Sequence, residues 1–164
     1  MQRLILTRVC TLASAMLVVL GGCRGGDAGL GAGSREIRGE FAVGDAVVRF
    51  NATFQDTTLI SVAEEQVFGE LGAARARYDV VNGRLVYYRC DERRRVMNRE
   101  AGDDYESVCL EFEFELDGRL RSECKTVDGR PADLLGYEAP GVQRHFTELK
   151  RRADLAQSAA VGGL

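Results

Sequence analysis

The stretch Tyr78-Asp79-Val80-Val81-Asn82-Gly83-Arg84-Leu85-Val86-Tyr87 decides the fold class. Asn-Gly between two runs rich in β-branched and aromatic residues is the strongest short signal for a two-residue hairpin, because both turn positions need positive φ. Such a turn pairs Val80 with Leu85 and Tyr78 with Tyr87 and sets Leu85 and Tyr87 facing the core. Upstream, Val48, Phe50, Ala52 and Phe54 alternate with Val47, Arg49, Asn51 and Thr53, the period of a strand with one buried face. Leu59–Ala63 reads as a further strand, and the Gly69–Gly72 stretch breaks the pattern.

Downstream, Asp117-Gly118 separates Leu110–Leu116 from Arg119–Val127. A two-residue loop would mix the two faces. A three-residue loop, Leu116-Asp117-Gly118 with glycine in the left-handed position, pairs Phe114 with Leu120, Phe112 with Ser122 and Leu110 with Cys124, and sets Glu113 opposite Arg121. Since a slip of one residue turns every side chain over, matching the apolar faces selects the odd loop. After Pro140 the period changes to 3.6: Val142, Phe146, Leu149, Ala153, Ala156 and Ala160 form one stripe, with His145, Glu148, Arg151, Arg152 and Asp154 elsewhere. Pro140 suits the start of a helix and Gly162-Gly163 its end. The sequence therefore predicts a mainly β (α+β) domain over 35–164. About seven strands form an antiparallel β-meander, and one C-terminal helix, 140–160, packs on its apolar face.

The cysteines supply a test of register. Matching Tyr87 with Phe112 and Leu85 with Phe114 across strands 84–95 and 105–116 places Cys90 directly opposite Cys109, so a cross-strand disulfide is expected there. Cys109–Cys124 and no bridge at all are the alternatives. On this reading Cys124 points inward as a spare thiol. Without a helix-start or basic environment it is not expected to act as a nucleophile.

Composition narrows function. The 164 residues carry 22 Lys+Arg against 25 Asp+Glu, a net charge of -3, which excludes nucleic-acid binding driven by overall basicity. One His and no Trp leave little for histidine-based metal sites or triads. Glu111, Glu113 and Glu115 line one strand face, where solubility explains them better than glycoside hydrolysis. Asp103, Asp104 and Glu106 lack the spacing of an ordered calcium loop. No cofactor or metal is expected. Asp91-Glu92-Arg93-Arg94-Arg95 and the segment from Arg99 to Asp104 flank Met97-Asn98 as a long charged hairpin tip. The tip residues Arg93, Arg94, Arg95, Met97, Asn98 and Arg99 are the surface candidates for recognition, against the plainer reading of a solvated loop.

The amino terminus differs from all of this. Arg3 and Arg8 precede an apolar run from Val9 to Leu20, the length of a secretory signal's core and short of the roughly 20 residues that span a bilayer. The run ends in Leu20-Gly21-Gly22-Cys23, which resembles the lipobox of bacterial lipoproteins. The resemblance implies a signal peptide over 1–22, cleavage between Gly22 and Cys23, and a diacylglycerol-modified, acylated Cys23 opening a mature chain of 142 residues. Two or more acyl chains anchor a protein stably to a membrane. Arg24, in place of Asp, implies outer-membrane delivery in a cell with two membranes. Residues 23–34, dense in glycine, read as a flexible tether of roughly 20 Å reach. Gly29, Gly31 and Gly33 follow no strand, so they make no dinucleotide fingerprint.

The expectation is thus a lipid-anchored envelope protein facing the periplasm. Its role would be non-catalytic binding or envelope maintenance, with an envelope protein or polymer as partner. The alternatives are a periplasmic inhibitor of lysozyme and a small envelope-polymer hydrolase. The inhibitory loop of one lysozyme-inhibitor family resembles Ser-Gly-x-x-Tyr, and this chain contains no Ser-Gly dipeptide.

Overall fold

The computed structural model describes residues 33–96 and 105–162. The signal and tether up to residue 32, with Cys23, lie outside that range, as do the tip residues Met97, Asn98 and Arg99. Ser34, read above as tether, already opens the first strand.

Alternation produces strands in strict succession: β1 (Ser34–Val43), β2 (Ala46–Gln55), β3 (Thr58–Val67), β4 (Gly72–Val81), β5 (Arg84–Arg95), β6 (Tyr105–Phe114), β7 (Leu120–Val127) and a two-residue β8 (Arg130–Pro131). They form one antiparallel sheet whose spatial order is the sequence order. The expected meander with a C-terminal helix is therefore the architecture, with the short β8 as an eighth strand. The helix α1 (Glu138–Gly162) starts two residues earlier than its sequence pattern suggested. Pro140 sits in its first turn, where a missing N–H leaves no helix bond unmade.

Both predicted turns form. Asn82 and Gly83 take φ of 52° and 74°, as a primed two-residue turn requires. In the second, Glu115 and Arg119 bond across Leu116-Asp117-Gly118, with Gly118 at φ 88°. Beyond each turn, the pairing departs from that expected of the sequence. Val80 pairs with Leu85 but Asp79 pairs with Tyr87, so Val86 is an extra residue on β5. Phe114 pairs with Leu120 but Glu113 pairs with Ser122, which makes Arg121 the extra residue on β7. Thr53 pairs with Ser61 and Phe54 with Leu59, which leaves Ile60 extra on β3. Each bulge sits just after a hairpin turn, and all three turns lie at the same end of the sheet.

A bulge reverses parity downstream. Tyr78 consequently faces Tyr88, not Tyr87; Phe112 faces Tyr88 and Glu123, not Tyr87 and Ser122; Leu110 faces Lys125, not Cys124. Tyr88 is buried, whereas Tyr87 lies half-buried on the outer face. The predicted Cys90–Cys109 disulfide falls by the same logic. Cys90 pairs with Leu110 and Cys109 with Asp91, so the two thiols stand on opposite faces of the sheet. Cys90 and Cys109 are both free. Cys124 pairs with Glu111 and shares the outer face with it, contrary to the inward position expected.

The core lies between the inner sheet face and α1. Phe54, Ala52, Val62, Phe112, Leu149 and Ala153 are fully shielded. Burying each large apolar side chain contributes about 1.5–3 kcal/mol. An aromatic ladder runs Phe114, Phe112, Tyr88, Tyr78 and on to Phe146 of the helix, with centroid separations of 6.1, 5.9, 5.0 and 5.9 Å. Along the predicted stripe, Phe146, Leu149 and Ala153 are buried and Ala160 is exposed.

Helix α1 crosses the strands. Gln143 Nε2 donates to the Gly118 carbonyl (2.7 Å), Lys150 Cε lies 3.6 Å from where a Gly83 side chain would begin, and Gln157 Nε2 donates to the Asp56 carbonyl (3.3 Å). One helix face thus meets the β6–β7, β4–β5 and β2–β3 turns in succession. These are the turns next to which the bulges lie. Bulges add local twist to the strands that carry them.

Candidate functional site

The inner face holds one buried carboxyl residue among the described residues: Glu64, in the middle of β3. The Ile60 bulge fixes its parity, because without it Glu64 would point outward with Ala63's present neighbours. Its carboxylate is enclosed by donors. Tyr78 Oη–H donates to Oε2 at 2.7 Å, while Gln66 Nε2 (2.6 Å) and His145 Nε2 (2.7 Å) both converge on Oε1. A carboxylate oxygen accepts, so the His145 bond requires its proton on Nε2. Burial first, then the adjacent Glu64, holds the Tyr78 hydroxyl far above the ordinary phenol range, and it remains a donor.

The sequence pattern set His145 away from the apolar stripe. The structure turns it to the sheet, with a side chain 27% exposed, as the contact between α1 and Glu64. Its position one residue before Phe146 places it at the edge of the buried stripe, and only the location of Glu64 reveals what it meets. A second inner pair lies near the start of α1. Lys125 Nζ donates to Glu138 Oε1 at 2.8 Å, and Glu138 Oε2 accepts from the Leu135 N–H. The Arg121 bulge sets Lys125 opposite Leu110, on the inner face.

Beside these groups a cleft of about 280 Å³ opens between α1 and strands β3–β6. Tyr88, Leu110, Tyr137 and Val142 form its walls, and Gln66 and His145 its polar end. Tyr137 stands at the lip, 66% exposed. Sites for whole small ligands run to roughly 300–1,000 Å³. This cleft matches a single ring or short aliphatic group projecting from something larger.

The outer face has hollows of about 690 and 660 Å³, but its charges already satisfy one another. Arg49 pairs with Glu40 (2.8 Å), Arg75 with Glu65 (3.2 Å), and Arg89 with both Asp91 (3.1 Å) and Glu111 (2.8 Å). Glu113 and Glu115 lie 4.0 and 3.8 Å from Arg121. Exposed pairs of this kind contribute about 0–1 kcal/mol each. They leave the glutamate row paired with arginines, without a cleft between carboxylates.

Of the tip candidates, Arg93 stacks over the Tyr105 ring at 4.7 Å, Arg94 Nε bonds Glu106 at 2.5 Å, and Arg95 lies 3.9 Å from Glu70. The described base of the tip is thus tied to its neighbours. No group of three or more metal-ligating side chains converges among the described residues.

The Cys90 and Cys109 thiols are held protonated. Burial lifts Cys90 to about 11, and burial with the neighbouring Asp91 lifts Cys109 to about 11. Both are therefore protonated at neutral pH, and the thiolate is the reactive form. Peptide mapping without reductant is expected to recover the Cys90 and Cys109 peptides unlinked. Native alkylation at pH 8 should be slower than in denaturant for both. A disulfide-linked Cys90–Cys109 peptide would reverse the face assignment.

Compared with known proteins, the chain matches no family model, no curated protein and no solved structure.

Proposed function

We propose that this chain is a lipid-anchored cell-envelope protein whose body binds an envelope partner without chemistry of its own. The observation that carries the reading is the order of features over residues 1–23: basic start, twelve-residue apolar run, then Leu20-Gly21-Gly22-Cys23. Acyl chains on Cys23 would hold the domain at a membrane surface, facing the periplasm where the cell has two membranes. The cleft beside α1 supports the binding part of the reading. Its size suits one side chain or ring of a partner, and Tyr137 offers an aromatic contact at the lip. Glu64 already accepts from three internal donors, an arrangement that favours positioning the helix over moving protons.

Labelled palmitate should enter the wild-type chain and not the Cys23→Ala variant. A wild type that stays unlabelled overturns the anchoring. Crosslinked envelopes test the cleft: Val142→Trp, whose indole fills it, should lose the partner adduct formed by the wild type. An unchanged adduct moves the binding surface elsewhere.

A further inference from the structure

Among the described residues, strand β1 pairs along one side only. It ends the sheet, with β2 as its one strand neighbour there. The Asp56 N–H donates to the Gly33 carbonyl at 2.9 Å, which adds a bonded pair to the β1–β2 ladder. Antiparallel pairs alternate between bonded and non-bonded, and this register runs unbroken from Ser34–Gln55 to Val43–Ala46. The odd-numbered residues from Arg35 to Val43 therefore bond β2. The N–H and C=O groups of Ser34, Glu36, Arg38, Glu40 and Ala42 point away from the sheet. An open edge of ten residues is a template for another strand.

The side chains along this edge are complementary to themselves about Gly39. One residue to either side stand Arg38 and Glu40, of opposite charge; two to either side stand Ile37 and Phe41, both apolar and on the core face. Gly39 itself carries no side chain because the Phe50 ring occupies that space, 2.4 Å from where a Cβ would be. A two-fold interface must be complementary to itself in this way.

We infer that β1 is a self-pairing edge: two copies of this chain join antiparallel about a two-fold axis at Gly39 and continue the sheet across both. The register sets Arg38 opposite the partner's Glu40, and Glu40 opposite the partner's Arg38. These are positions whose backbone groups point outward, so each pair also exchanges two N–H···O=C bonds. Glu36 and Ala42 pair likewise. Ile37 meets the partner's Phe41 at a non-bonded position, where strands approach most closely. A register shifted by two residues sets Arg38 opposite Ala42 or opposite itself, and the ion pairs are lost. The inference stands on the sheet edge and is independent of the anchoring and cleft proposals.

Charge exchange tests it. Arg38 and Glu40 side chains are 81% and 58% exposed, and their pairs within the chain, with Glu36 at 3.6 Å and Arg49 at 2.8 Å, are surface ones of about 0–1 kcal/mol, so substitution there leaves the fold intact, as circular dichroism will verify. The full chain in non-ionic detergent is expected to scatter light as a dimer. R38E and E40R each place like charges opposite one another twice per interface, and each should weaken the dimer roughly tenfold or more. An equimolar mixture of R38E and E40R should restore it, because both cross-strand pairs become Glu–Arg again. A monomeric wild type, single variants that dimerise normally, or a mixture that fails to recover would each overturn the inference. Dimers indifferent to charge would assign association to the acyl anchor or another surface. A monomer that pairs with a different protein through β1 would assign the edge to that partner.

Discussion

Tyr88→Ala is expected to lower folding stability by about 3–5 kcal/mol, while Tyr87→Ala, one residue earlier, should lower it by roughly 1 kcal/mol. Tyr88 fills the centre of the aromatic ladder, 5.0 Å from Tyr78 and 5.9 Å from Phe112, and is 6% exposed. Removing its ring leaves a cavity that rigid sheet neighbours cannot close. Tyr87 stands on the outer face opposite Asp79 and Glu113, where solvent fills whatever is vacated. Urea unfolding of the two variants measures the difference directly. Equal losses, or a larger loss at Tyr87, would mean that Val86 is not the bulged residue, and the placement of Cys90 would change with it.

Gly72→Ala should destabilise the fold by roughly 2–4 kcal/mol. Gly72 opens β4 at φ 133°, ψ -161°, a backbone region essentially restricted to glycine. Space is the second obstacle. A Cβ there would lie 2.0 Å from the Arg93 carbonyl oxygen and 3.0 Å from Arg94 Cα, both backbone atoms of the neighbouring strand. A flexible side chain could swing aside, but β5 cannot do so without breaking the ladder. Gly129 is the matched control. Its φ of 74° is also left-handed, yet nothing lies within 4 Å of a Cβ built there, so Gly129→Ala should show the backbone strain alone, about 1 kcal/mol. Similar losses at the two positions would refute the close approach of β4 to β5.

The meander and its terminal helix were legible because each strand alternates and each turn carries its own chemistry. Asn82-Gly83 and Asp117-Gly118 gave loop lengths and glycine conformations correctly. The bulges were not legible. Ile60, Val86 and Arg121 are ordinary strand residues, and nothing at those positions announces an extra residue. A parity argument carried from the turn therefore held for the first pair and failed for every later one. The error moved Tyr88 and Cys90 to the wrong face and created an apparent Cys90–Cys109 bridge. It also concealed the candidate site. Glu64 faces inward only because Ile60 is bulged, and His145 lies at the margin of a stripe whose neighbours the sequence alone does not specify. Charge patterning showed a solvated outer face, whereas the buried carboxylate depended on the geometry of two elements far apart in the chain.

The crossing of α1 over the hairpin turns has a dimensional consequence. Gln143, Lys150 and Gln157 are seven residues apart, about 10.5 Å along a helix axis. Successive turns at that end of the sheet are two strands apart, about 9.6 Å. The near match makes the helix a ruler with one mark per hairpin. A lengthened relative built on this plan would grow by matched instalments, one strand pair with seven helical residues, and an insertion of any other size would leave the ruler out of step with the turns it measures.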